Sequence, residues 1–191
     1  HLGGRRRIPA TTALRLDRAP EGAALRDHCK HGFAYHDVWA DDARLVLVNA
    51  RDAARRGAEV LPRTRVMSAR RDGDLWRVLL QARDGPGREI LARAIVNTAG
   101  PWAEKVLAHV DGVTTAMHLR LVKGSHIVTR RWWQGDHGYV LQAPDKRLIF
   151  INPYLDDLAL IGTTEIPFDD EPEQAEITPG EVEYLLAIVN R

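Results

Sequence analysis

The clearest periodicity in the chain lies between residues 41 and 57. Ala43, Val46, Leu47, Ala50, Ala53 and Ala54 fall on one face of a helix, while Arg44, Arg51, Arg55 and Arg56 lie off that stripe. Asp41 suits the N-cap and Gly57 the position just past the last turn, so an amphipathic helix is predicted between them. Before it, Phe33–Ala40 alternates as a strand would. After it the period drops to two. Trp76, Val78, Leu80 and Ala82 share one face of a predicted strand Leu75–Ala82, and Ile90, Ala92, Ala94 and Val96 one face of Arg88–Val96. A short strand Ala58–Leu61 and another over Thr64–Arg70 precede them, with hairpin chemistry at Asp72-Gly73 and a second turn over Arg83–Gly87.

The Arg88–Val96 strand breaks at Asn97-Thr98-Ala99-Gly100 and is expected to enter a helix at Pro101 that ends near Val110. Proline is tolerated in a first helical turn because its missing N–H would be unpaired there anyway. Gly100 permits a positive φ or a close backbone approach, and a tight strand–turn–helix presents N–H groups to an anion. From Met117 the pattern is again of strands: Leu119–Val122, Ile127–Thr129, Tyr139–Gln142, Leu148–Ile151 and Leu158–Ile161. Their short links predict a second, antiparallel sheet. Thr163–Gln174 is acidic and contains proline, so a loop is expected. Thr178-Pro179-Gly180-Glu181 then reads as a capping box opening a helix with Tyr184, Leu185 and Ile188 on one face. His1–Lys30 shows little periodicity and is expected to be irregular, apart from a short helix around Glu21–Cys29.

Composition narrows the class. The 191 residues are 45% apolar and 28% charged, enough for a real core, and the net charge of +1 gives no global field to recruit nucleic acid. The arginine pairs, such as Arg70-Arg71, read as solvated faces, and Arg130-Arg131-Trp132-Trp133 as packing at a loop edge. A single cysteine, Cys29, excludes an internal disulfide framework and reads as a spectator thiol. No apolar run is long enough to span a bilayer, no signal-peptide pattern is present, and no metal site is expected. A start at His1 and a stop at Arg191 within a predicted helix suggest an excised piece of a longer protein.

The segments V-W-A-D-D-A-R-L-V (Val38–Val46), G-A-E-V (Gly57–Val60), V-N-T-A-G-P-W (Val96–Trp102), L-V-K-G-S-H-I-V (Leu121–Val128), D-K-R-L-I-F (Asp145–Phe150) and I-G-T-T-E (Ile161–Glu165) resemble FAD-linked glycerol-3-phosphate dehydrogenases of the D-amino-acid-oxidase type, in particular the aerobic, membrane-associated bacterial enzymes. The resemblance covers nearly the whole chain. It implies an α+β and α/β fold: residues 1–116 as part of an FAD-binding domain (helix, strand, three-stranded meander, with an irregular segment 1–32), and residues 117–191 as an antiparallel substrate-domain sheet and a helix. The Gly-rich fingerprint of that family has no counterpart here, because Gly3-Gly4 precedes a run of arginines.

The resemblance also implies site residues. Val60, Thr98, Ala99, Gly100 and Trp102 match cofactor-contacting positions, Lys123, Gly124, Ser125, Thr163 and Thr164 substrate-contacting ones, and His126 the catalytic base. The implied reaction oxidises glycerol 3-phosphate to dihydroxyacetone phosphate, with hydride passing to FAD and electrons to quinone, at the cytoplasmic face of the bacterial inner membrane through peripheral association. FAD is expected to belong to the full-length parent rather than to be held by this piece. The alternatives are an isolated non-catalytic domain, or a related oxidoreductase acting on an amine or hydroxy acid.

Overall fold

Asp41 accepts the backbone N–H of Arg44 at 2.9 Å, and α1 runs from there over Asp42–Arg55. The computed structural model describes residues 8–114 and 118–191. The expectations on Gly3-Gly4, the arginine run at 5–7 and the onset of the second sheet at Met117 lie outside the described residues. Two units emerge: Ala40–Leu121, and the N-terminal segment through Trp39 together with Val122–Arg191. The first expected domain is therefore cut differently. Residues 8–39 pack with the second sheet, because Tyr139 donates its hydroxyl to the Glu21 carbonyl at 2.8 Å and Ala24 and Leu25 join that sheet's core.

In the unit of residues 40–121, β1 (Thr64–Asp72), β2 (Leu75–Ala82) and β3 (Gly87–Ala92) form the antiparallel meander. Its core is Ala69, Val78, Leu80 and Val110, with Trp76 packed against it. Ala69 N–H donates to the His109 carbonyl at 2.8 Å and its carbonyl accepts from Asp111 N–H at 2.8 Å, which ties the 109–111 segment alongside β1. Arg77 bridges Asp72 and Glu89 on the outer face, and Arg71 lies 4.1 Å over the Trp76 ring.

One expected strand is not formed here and another is shorter than expected. Residues 58–61 are irregular, and the predicted strand Arg88–Val96 ends as β3 at Ala92. A strand needs a neighbour for its N–H and C=O groups, and among the described residues no strand pairs with residues 58–61 or 93–96; Val96 is 83% exposed. The expected helix from Pro101 to Val110 is also shorter: a 3-10 turn over Gly100–Trp102 leads into α2, Ala103–Leu107.

In the other unit, β4 (Thr12–Arg15) pairs antiparallel with β5 (His31–Ala34). The segment expected to be irregular thus supplies one strand of a two-stranded sheet, the other strand overlaps the start of the one expected over Phe33–Ala40 and ends at Ala34, and the helix expected over Glu21–Cys29 is only a 3-10 turn at Pro20–Gly22. The main sheet holds β7 (His126–Arg130), β10 (Leu158–Gly162), β9 (Leu148–Tyr154) and β8 (Tyr139–Gln142) in that spatial order, all antiparallel as expected. Two short strands, β6 (Val122–Lys123) and β11 (Ile166–Pro167), pair with each other, the latter inside the expected loop. Helix α3 (Pro179–Val189) covers one face of the main sheet, with Leu185 seated among Ile149, Ile151 and Ile161. Trp133, taken for loop-edge packing, is 6% exposed and belongs to that core, its indole N–H donating to the His137 carbonyl at 2.7 Å.

Candidate functional site

The K-G-S-H and G-T-T segments lie side by side at one end of the main sheet. Register places Gly162 opposite His126 and Ile166 opposite Lys123. Ser125 and Thr164 lock the two turns together: Thr164 Oγ1 accepts from Ser125 N–H at 2.8 Å, and Thr164 N–H donates to the Ser125 carbonyl at 3.2 Å. Thr163 Oγ1 donates to the Thr164 carbonyl at 3.0 Å.

Both glycines are required by contact. A Cβ on Gly124 would stand 2.6 Å from Thr163 Oγ1, and one on Gly162 would stand 2.3 Å from the His126 ring. The imidazole therefore lies flat against the Gly162 backbone.

Under this pair of turns sits a carboxylate. Glu181, at the start of α3, is 2% exposed. Its Oε1 accepts from Ser125 Oγ at 2.8 Å and Thr164 Oγ1 at 2.7 Å, and its Oε2 from Lys123 Nζ at 2.7 Å, Thr178 N–H at 2.8 Å and Thr178 Oγ1 at 2.9 Å. The Thr178 N–H contact, with Glu181 N–H donating back to Thr178 Oγ1 at 3.3 Å, is the expected capping box; the contacts from Ser125, Thr164 and Lys123 reach across the fold. Burial alone would raise this carboxyl's pKa, but the donors, led by the Lys123 ammonium and Thr164, hold it well below the usual carboxylate range.

This geometry reassigns several candidates. The Lys123 side chain is 8% exposed, donates to Glu181 and also to the Glu176 carbonyl at 2.5 Å, so its charge is neutralised inside the protein. Ser125 and Thr164 likewise point at Glu181. None of the three offers a free polar atom to a phosphate; together they hold the turns. Glu181 is the residue that motif reading missed as a hub. The capping-box pattern marked it, but nothing in the order of residues connects position 181 with 123, 125 and 164.

His126 stands apart from the knot, exposed on the sheet face opposite α3. Strand alternation sets Val128, Val140, Phe150 and Tyr154 on the same open face, each at least 38% exposed. An imidazole on an apolar, accessible surface can take a proton from a hydroxyl laid against it.

In the other unit, the candidate cofactor residues line the uncovered edges. Val60 is 43% exposed, Thr98 and Gly100 are exposed, and Trp102 is 40% exposed. Asn97 shapes this turn: its Oδ1 accepts from Ala99 N–H at 3.2 Å and its Nδ2 donates to the Ala103 carbonyl at 2.9 Å. Gly100 has φ +55°, a conformation that favours glycine, with no close approach to its α-carbon. Open extended backbone and small side chains fit the flank of a dinucleotide. They supply no cation for its pyrophosphate, and five-residue α2 is too short to act as an anion-binding helix. Among the described residues no cluster of His, Cys, Asp or Glu could hold a metal ion, and no helix is long and apolar enough to cross a membrane.

The chain is similar to proteins of known activity along its whole length. The chain is 48% identical over 192 residues to D-erythritol 1-phosphate dehydrogenase of Brucella abortus, covering all of this chain and 38% of that protein. It is 40% identical over 193 residues to aerobic glycerol-3-phosphate dehydrogenase of Escherichia coli, covering all of this chain and 38% of that protein. The crystal structure of glycerol-3-phosphate dehydrogenase from Bacillus halodurans complexed with FAD superposes with a TM-score of 0.76 at 27% identity, over 97% of this chain and 37% of that one. The chain thus spans a little over a third of the length of these relatives. The family model for FAD dependent oxidoreductases matches residues 2–191, and the chain belongs to that family.

Proposed function

We propose that the protein from which this chain comes oxidises a secondary hydroxyl of a small polyol phosphate, with His126 as the base that receives the hydroxyl proton. The observation that carries the reading is similarity along the entire chain to two dehydrogenases of polyol phosphates. Bound FAD would supply the hydride acceptor. This chain's part is to present the His126 imidazole on an open apolar face, flat against Gly162, and to flank the cofactor with backbone near Val60 and at Thr98, Ala99 and Gly100, with Trp102 just beyond. Thr163 lies beside this site and is the remaining hydroxyl of the G-T-T turn for a substrate oxygen. Electron transfer to quinone at the cytoplasmic face of the inner membrane is part of the proposal, consistent with the aerobic relative.

Two substrates fit. Glycerol 3-phosphate is favoured by the K-G-S-H and I-G-T-T-E segments; D-erythritol 1-phosphate by the higher, 48% identity. Steady-state kinetics of the full-length protein with both, and with an amine, decide between them by the ratio of kcat/KM. Turnover of the amine alone would overturn the proposal. His126→Ala is expected to lower kcat by 10²-fold or more, about the contribution of a general base; near-normal turnover would remove His126 from the reaction.

The isolated chain is expected not to retain flavin, since it presents only flanking contacts to the dinucleotide. A flavin absorbance band that survives gel filtration would contradict that expectation.

A further inference from the structure

We infer that Glu181 is a positioning residue for His126, acting through the two turns it gathers. The inference rests on His126 being the base of the proposed reaction. Glu181 touches neither His126 nor the open face; it sits at the N-terminal end of α3, whose apolar side packs on the opposite face of the sheet. Its reach is through Ser125 and Thr164. Ser125 immediately precedes His126, and Thr164 follows Gly162, the residue on which the imidazole lies, by two positions. One carboxylate thereby fixes both the strand that carries the ring and the strand that supports it.

The chemistry suits placement better than bulk stability. A buried ion pair gains little over an apolar plug of the same volume, because both charges lose their water. What five converging donors provide is a single geometry: each hydrogen bond sets a direction as well as a distance, and the turns pack so closely that a Cβ on Gly124 would stand 2.6 Å from Thr163 Oγ1. Among the described residues no buried side-chain nitrogen or oxygen lacks a partner, those of the knot included. A general base misplaced by about 1 Å loses on the order of 10²-fold in rate.

The test uses the full-length flavoprotein with the polyol phosphate it turns over faster. Glu181→Ala is expected to lower kcat at least tenfold while KM stays within threefold and the bound-flavin spectrum is unchanged. In a His126→Ala background the same substitution is expected to change kcat less than twofold, since the group it positions is gone. Equal losses in both backgrounds would show that Glu181 acts elsewhere and overturn the inference. If Glu181→Ala does not accumulate as holoprotein, Ser125→Ala, which deletes one hydrogen bond to the same carboxylate, carries the test. A severalfold fall in kcat with intact flavin supports positioning; unchanged kcat overturns it. The two readings fail separately: loss of turnover in His126→Ala with normal Glu181 variants sinks only the positioning role, whereas normal turnover in His126→Ala sinks the base assignment itself.

Discussion

The two units of this chain treat their apolar and polar groups in opposite ways. In the unit built from residues 8–39 and 122–191, α3 closes one face of the sheet, and a buried carboxylate has every donor it needs. In the unit of residues 40–121, α1 has no buried residue: Val46 is 69% and Leu47 58% exposed on the stripe that periodicity assigned to a core. The contrast teaches how to weigh a motif. Where the fold is closed, conspicuous polar residues such as Lys123 are consumed by internal partners. Where it is open, unremarkable residues such as Val60 and Thr98 are left accessible.

The largest expected effect lies in the closed unit. Glu181→Ala leaves the Lys123 ammonium buried without its partner and should cost about 3–5 kcal/mol in denaturant unfolding. A cost below about 1 kcal/mol would mean that the knot opens to water in solution. The same carboxyl makes the unit sensitive to acid. Its folded pKa lies below the usual value of 4.5, so its contribution is fully present above that value and is lost as the pH falls below it toward the folded pKa. Urea midpoints measured from pH 7 downward should therefore fall below about pH 4.5, and less steeply in a Lys123→Met, Glu181→Gln double variant.

Gly162→Ala is next. Its Cβ would meet the His126 ring at 2.3 Å, so the ring or the strand must move, at about 1–3 kcal/mol in stability. Turnover in the full-length protein should fall with it, and a variant that keeps both would separate the imidazole from Gly162 in solution. The smallest effect is expected in the open unit. Val46→Ser on the uncovered stripe should shift the stability of the isolated chain by no more than about 0.5 kcal/mol. In the full-length protein the same change should cost more than 1 kcal/mol, because a stripe of this width is normally buried. Equal, small effects in both would show that the stripe stays exposed in the parent as well.

Local grammar was legible in residue order. The Asp41 cap and the α1 period, the Asp72-Gly73 hairpin, strand Leu75–Ala82 and the Thr178–Glu181 capping box all appear where spacing put them, because each depends on neighbours a few residues away. The family was legible too, through segments spread along the whole chain. Failures of the reading share a cause. Residues 58–61 and 93–96 have strand-like composition yet find no partner among the described residues, and a strand is defined by its partner rather than by its own sequence.

The site divides along the same line. The family resemblance marked K-G-S-H and G-T-T, and with them His126, but gave no means of telling which of their polar atoms face outward. That was settled by folding: antiparallel pairing set Gly162 against His126, and α3 delivered Glu181 beneath Lys123, Ser125 and Thr164 from more than fifty residues beyond the first of them. Hydrogen bonds between groups so far apart along the chain exist only once the sheet has assembled, and so they leave no period for the sequence to display.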